Sequence, residues 1–279
     1  MSSTVELSSM AGPERTESSA VPNVVILAAG LGTRLARPHP KPLTPLADGR
    51  TILHRQLDHV RGAFGADVRV CVVVGFKMDA VMEAVPNDAT FVYNELFDQT
   101  NTAKSLLKAL RLAPPGGVLW LNGDVVFAPG LLESLRPHIE RGVSFVAVNR
   151  LSVGEEEIKY TLDADGFVVE LSKRVVGGLG EAVGINYISA AHRPLLIKHL
   201  AACADNDYFE RGLEMAIATD RLRLNAVDIS AFDCVEVDFA DDLERARRMA
   251  LKAGVANVAG AGNGIAKRVA VPSQVTLSA

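Results

Sequence analysis

Directly after the apolar run VVILAA (24–29), the chain sets Gly30, Gly32, Arg34 and Lys41 within a dozen positions. Two glycines at the end of a buried strand let the backbone come close to a ligand, with N–H groups free to point at anionic oxygens. Arg34 and Lys41 add positive charge where those oxygens would lie. The residues therefore point to a bound polyphosphate. Neither common phosphate loop fits, because no Gly-Lys-Ser/Thr occurs and Leu35 stands where a dinucleotide fingerprint needs its third glycine.

The positive charge is local. The 279 residues carry a net charge of -4, which argues against general nucleic-acid binding or attachment to an anionic membrane. With 48% hydrophobic residues the chain can bury the core of one α/β domain. Cys71, Cys203 and Cys234 are widely spaced in apolar surroundings and read as reduced core residues. The first residues lack a basic region followed by an apolar core, and no run is long enough to span a membrane, so a cytoplasmic protein is expected.

A loop of this kind needs a strand before it and a sheet around it. Runs apolar on both faces (23–29, 68–75, 117–123, 143–149) alternate with amphipathic stretches (51–64, 102–113, 130–142), the pattern of a doubly wound, mostly parallel sheet covered on both sides. Residues 158–173 carry two short alternating runs around Asp163-Ala-Asp-Gly166, an inserted β-hairpin with Asp-Gly in its turn. Two helices, a strand pair near 222–237 and a closing helix over 240–254 ended by Gly254 complete the reading. Residues 1–20 and 255–279 are expected to be flexible ends of a domain spanning 21–254.

The opening stretch resembles the signature L-x-x-G-x-G-x-R-x(n)-P-K-x-L of nucleotidyltransferases that activate sugar phosphates and small phosphorylated alcohols, here Leu27, Gly30, Gly32, Arg34, Pro40, Lys41 and Leu43. The resemblance extends over roughly 22–250 and implies a Rossmann-like nucleotidyltransferase fold. It implies nucleotide binding by Leu27, Ala28, Ala29, Gly30, Gly32, Thr33 and Asp124, with Arg34, Lys41 and Lys173 catalytic. Asp124 in "LNGDVVF" and Asp238 in "CVEVDFADD" match metal-binding aspartates, and two carboxylates suit Mg²⁺ when water and phosphate supply its other ligands. Asp241 and Asp242 stand close enough to Asp238 to cap the closing helix or to replace it as ligand.

"YNELFDQTNTAKSLLKAL" resembles the CTP-using branch typified by phosphocholine cytidylyltransferases, with Asn101 and Ser105 on matching positions and Thr102 departing from the pattern. Four apart at a helix start, Asn101 and Ser105 can share a face toward a pyrimidine edge, while Asn101 can equally serve as the helix cap. The hairpin resembles the family's acceptor segment, which places Lys159, Lys173 and Glu181 at the acceptor, with Lys173 facing its phosphate. The implied reaction is attack of a phosphonate or phosphomonoester oxygen on the α-phosphorus of CTP, with Mg²⁺ as cofactor. A sugar-1-phosphate transferase using UTP, GTP or dTTP is the alternative, and association into a homodimer is left open. Arg37, Lys159, Lys173 and Arg174 suggest an acceptor with a second negative group.

Overall fold

The computed structural model describes residues 21–262, apart from 36–37, 86–88, 152 and 155–156. Its centre is a nine-stranded sheet. The main path holds β1 (Asn23–Ala28), β2 (Val70–Val74), β3 (Thr90–Tyr93), β4 (Val118–Asn122), β6 (Phe145–Asn149), β9 (Glu181–Ile188) and β10 (Asn225–Asp228), in the order β10-β6-β9-β4-β1-β2-β3. All neighbours along it are parallel except β9, which runs antiparallel to β4 and β6. The expected doubly wound, mostly parallel sheet is therefore present.

Alternation along β1 explains why both faces are covered. Val24, Ile26 and Ala28 pack with α1 (Ile52–Phe64), α2 (Met78–Ala84) and α4 (Leu131–Glu140), whereas Val25 and Leu27 pack with α3 (Thr102–Leu112), α5 (Arg193–Ala202) and α6 (Phe209–Asp220). The hairpin forms as expected from β7 (Lys159–Leu162) and β8 (Val168–Ser172), with Gly166 at φ +85° and the Asp163 carboxylate accepting from the N–H groups of Asp165 and Phe167.

The run 117–123 forms β4 as expected, and past the turn at Gly123 and Asp124 the chain adds β5 (Val125–Phe127). Two expectations are corrected. The strand pair near 222–237 is not a pair, since β10 lies parallel to β6 while β11 (Cys234–Glu236) runs antiparallel to β5 in a separate two-stranded sheet. Ile229 is buried and its N–H reaches Val148, so the intervening segment is tied to the large sheet and cannot fold back as a tight turn. The closing helix, α7 (Ala240–Gly262), continues past Gly254, because an interior glycine weakens a helix by only about 1 kcal/mol. Leu243, Ala246 and Ala250 of α7 pack on Val126, Val235 and Val237 as a third apolar cluster. The expected flexible segment 1–20 lies outside the described residues, as does 263–279 of the expected tail.

Candidate active site

Beyond the carboxyl ends of β1 and β4 lies a cleft of about 390 Å³, where open parallel sheets generally take ligands. Its floor is the signature loop. Leu27, Ala28, Ala29, Gly30 and Gly32 all line it, and Gly32 adopts φ +62°, a left-handed conformation that favours glycine. Thr33 opens a short 3₁₀ turn, and its side chain lies outside the described residues.

Lys41 is the centre of the charge arrangement. Only 8% exposed, it donates from Nζ to Asp124 Oδ2 at 2.8 Å and to Asp238 Oδ1 at 2.6 Å. Burial alone would lower its pKa, but Asp124 and Asp238 outweigh that and raise it, so the ammonium stays charged. Arg34 Nη1 donates to the other oxygen of Asp238 at 2.6 Å. Two carboxylates far apart in sequence thus converge on one cationic point, as a divalent cation would require. Among the described residues no group of three or more His, Cys, Asp or Glu is set to hold a metal alone, so two carboxylates would be the protein's share.

Local structure fixes these positions. The turn carrying Asp124 is clamped by Gln56 of α1, whose Nε2 donates to the carbonyls of Asn122 and Val125, both at 2.8 Å. Gly123 donates to the Leu27 carbonyl at 3.0 Å, and a Cβ there would lie 2.5 Å from that oxygen, so only glycine allows β1 and the turn to approach. Asp238 is delivered by β11, with Val237 N–H on the Asp124 carbonyl at 3.0 Å. Asp242 turns back to accept from the N–H groups of Asp238 and Phe239, at 3.2 and 2.9 Å, so it caps α7 and leaves Asp238 to the cleft.

Asn101 and Ser105 also line the cleft, with their polar atoms engaged by the protein. Asn101 is the N-cap of α3: its Oδ1 accepts from Thr102 N–H at 2.8 Å and its Nδ2 donates to the Asn206 carbonyl at 3.4 Å. Ser105 Oγ accepts from buried Asn94 at 3.0 Å, and Asn94 also donates to Thr100 Oγ1 at 2.9 Å. Thr102, the departure from the pattern, accepts from Phe209 N–H at 3.1 Å and ties α3 to α6.

On the opposite wall Lys173 lines the cleft, 5.8 Å from the centre of the Tyr208 ring. Lys159 and Glu181 do not line it. Lys159 is paired in register with Glu181, and Glu181 accepts from Gly154 N–H at 3.2 Å beside a smaller neighbouring cavity. Arg174 is exposed away from the cleft, and Arg37 lies outside the described residues.

Several lining groups escaped the sequence reading. Glu157, Glu210 and Glu236 line the cleft, which among its described residues carries six acids against Arg34, Lys41 and Lys173. Burial, then Asp124 and Asp238, push Glu236 well above the usual carboxylate range, and burial with Glu181 and Asp238 raises Glu157. Glu236 had a signal, since residues two apart at a strand end share a face and it precedes Asp238 by two.

Residues 24–219 match the MobA-like NTP transferase domain. The chain is 30% identical over 248 residues to the CMP-5'-(3-aminopropyl)phosphonate synthase of Streptomyces rubellomurinus, an alignment covering 81% of this chain and 38% of that protein. The chain therefore spans well under half the length of that relative. Among solved structures, the inositol-1-phosphate CTP transferase from T. maritima superposes with a TM-score of 0.69 at 17% identity, covering 84% of this chain and 96% of that one. The CTP:phosphocholine cytidylyltransferase from Streptococcus pneumoniae gives 0.65 at 18%, covering 82% and 99%. At these identities the likeness shows the fold. With a family match over most of the described chain and the signature residues gathered at one cleft, the chain belongs to the MobA-like NTP transferase family, as a nucleotidyltransferase.

Proposed function

We propose that the chain transfers CMP from CTP to a small phosphonate or phosphomonoester acceptor and releases pyrophosphate. The observation that carries this reading is the convergence of Asp124 and Asp238 on Lys41 Nζ, at 2.8 and 2.6 Å, beside a glycine loop open to the cleft. The relatives support the nucleotide and the acceptor class, since the names of all three refer to CMP or CTP and to phosphonate or phosphate compounds. Asn101, Ser105 and the segment that holds them form the wall assigned to the base.

An acceptor oxyanion is already ionised near neutral pH, so no protein nucleophile is needed. Catalysis then rests on positioning and charge neutralisation. The backbone at Gly30–Gly32, with Arg34 and Lys41, holds the β- and γ-phosphates and stabilises the departing pyrophosphate. Lys173 orients the acceptor's phosphonate or phosphate from the opposite wall. Asp124 and Asp238 would hold Mg²⁺, which when bound supplies Lewis-acid polarisation of phosphate oxygens.

Pyrophosphate release tests the proposal, with CTP, UTP, GTP and dTTP each paired with phosphonate, phosphocholine and sugar-1-phosphate acceptors. CTP with a phosphonate or phosphomonoester should lead, by roughly 5- to 150-fold in kcat/KM over UTP, the range set by one mismatched buried hydrogen bond. Equal use of CTP and UTP would refute the base assignment.

A further inference from the structure

The cleft contains a carboxyl group to which the CMP-transfer reading gives no task. Glu210 stands in the first turn of α6, 7% exposed, on the wall formed with Tyr208 and Phe209. Its Oε2 is buried without a hydrogen-bond partner. Burial pushes the carboxyl up to about 7; its own backbone N–H and Lys173 act against the rise, and Glu214 adds to it. Glu214 is itself occupied, accepting from Leu171 N–H at 3.2 Å and lying 3.6 Å from Arg211.

The charges nearby show what this carboxyl can receive. Arg34 and Lys41 stand with Asp124 and Asp238 at the nucleotide end of the cleft, and Lys173 lies close enough to Glu157 and Glu210 to act on both carboxyls. Lys173 suits the acidic head of an acceptor. The remainder of that wall is acidic and would repel a second anionic group, contrary to the expectation from Arg37, Lys159, Lys173 and Arg174. A group that both carries positive charge and donates a hydrogen bond would ionise Glu210 and satisfy Oε2. A quaternary ammonium has no such donor.

We infer that Glu210 is the specificity-determining residue of the acceptor site and receives a protonated amine, so that the acceptor is zwitterionic: an aminoalkyl phosphonate or the phosphomonoester of an amino alcohol. This rests on the CMP-transfer reading given above.

The test compares 2-aminoethylphosphonate with 2-hydroxyethylphosphonate at saturating CTP and pH 8, in wild type, Glu210→Gln and Glu210→Asp. Wild type should favour the amine by roughly 10- to 100-fold in kcat/KM, the range for a hydrogen bond to a charged group. Glu210→Gln should lose that preference through a raised KM for the amine, a change larger than any in KM for CTP. Glu210→Asp, which keeps the charge one methylene back, should retain part of it. A wild type indifferent to the amine, or a preference kept in Glu210→Gln, overturns the inference; if Glu210→Gln does not fold, full loss or full retention of preference in Glu210→Asp overturns it. Should no acceptor release pyrophosphate, the CMP-transfer reading fails, and thermal shift then decides Glu210's role. Stabilisation by the amine compound alone supports that role, and equal or absent shifts overturn it.

Discussion

Lys41 meets both aspartates with one atom and Arg34 meets Asp238 as well, so two cations already face these two carboxylates. Removing either carboxylate leaves the buried ammonium underpaired and takes away half of the site for a cation. Asp124→Asn and Asp238→Asn should therefore each lower turnover by at least about 10²-fold while the circular dichroism spectrum stays native. Full activity of Asp238→Asn would move the second ligand to Asp241 or Asp242. Lys41→Ala should lose far more activity than Lys77→Ala, because Lys77 bonds the Pro38 carbonyl outside the cleft. Equal kcat/KM in these two variants would show the phosphate loop to be misplaced. Glu210 gives a pH signature of its own. Its carboxyl titrates near 7 in the folded chain against an ordinary 4.5, so between these values the folded state binds more protons than the unfolded state. Wild-type stability contributed by this group falls as pH rises through that window, whereas Glu210→Gln has no such loss. The variant should melt roughly 5 °C higher than wild type at pH 8 and lose this advantage near pH 4.5. A Tm difference that does not change with pH would contradict the assignment.

Among the elements, α1 reaches furthest into the chemistry. Leu53, Gln56, Leu57 and Val60 form one helical stripe facing the core, and the single polar member is the clamp on the Asp124 turn. Gln56→Met keeps the volume but leaves two carbonyls without their donor, about 1–3 kcal/mol each when buried. We expect a lower Tm together with a fall in kcat that exceeds any change in KM for CTP; a fall in Tm alone would make Gln56 purely structural. A glutamine inside an apolar stripe was visible in the sequence, yet its target, a turn 66 residues on, was not. The same contrast holds elsewhere. Continuous apolar runs made β1, β2, β4 and β6 legible, and Asp-Gly made the hairpin legible, because those signals are local. The strand β5 was hidden, since Val125-Val-Phe127 is only three residues long and its partner β11 lies more than a hundred residues on. The signature residues were legible as a motif, whereas Glu210 is brought to the cleft by tertiary packing of a helix without a motif.

For the whole molecule, the cleft has a floor from the first half of the chain and a wall from the second, with Lys173, Tyr208 and Glu210 facing the glycine loop. A ligand touching both should bind only the folded chain. CTP with Mg²⁺ at about 100 times its Kd should raise stability by about 2.7 kcal/mol, or roughly 5–10 °C in Tm, and chelator should remove most of that gain. No shift with CTP and Mg²⁺ would remove the nucleotide from this cleft. No helix among the described residues is long and apolar enough to cross a membrane. The two-stranded sheet of β5 and β11 has a further consequence in time. It is the join that brings Asp238 beside Asp124, and it links positions more than a hundred residues apart. Closing so long a loop is slow compared with forming local helices and the neighbouring strands β1 and β2. During refolding from denaturant, far-UV ellipticity should return first and catalytic competence later, and a chain still under synthesis stays inert until β11 has emerged and paired.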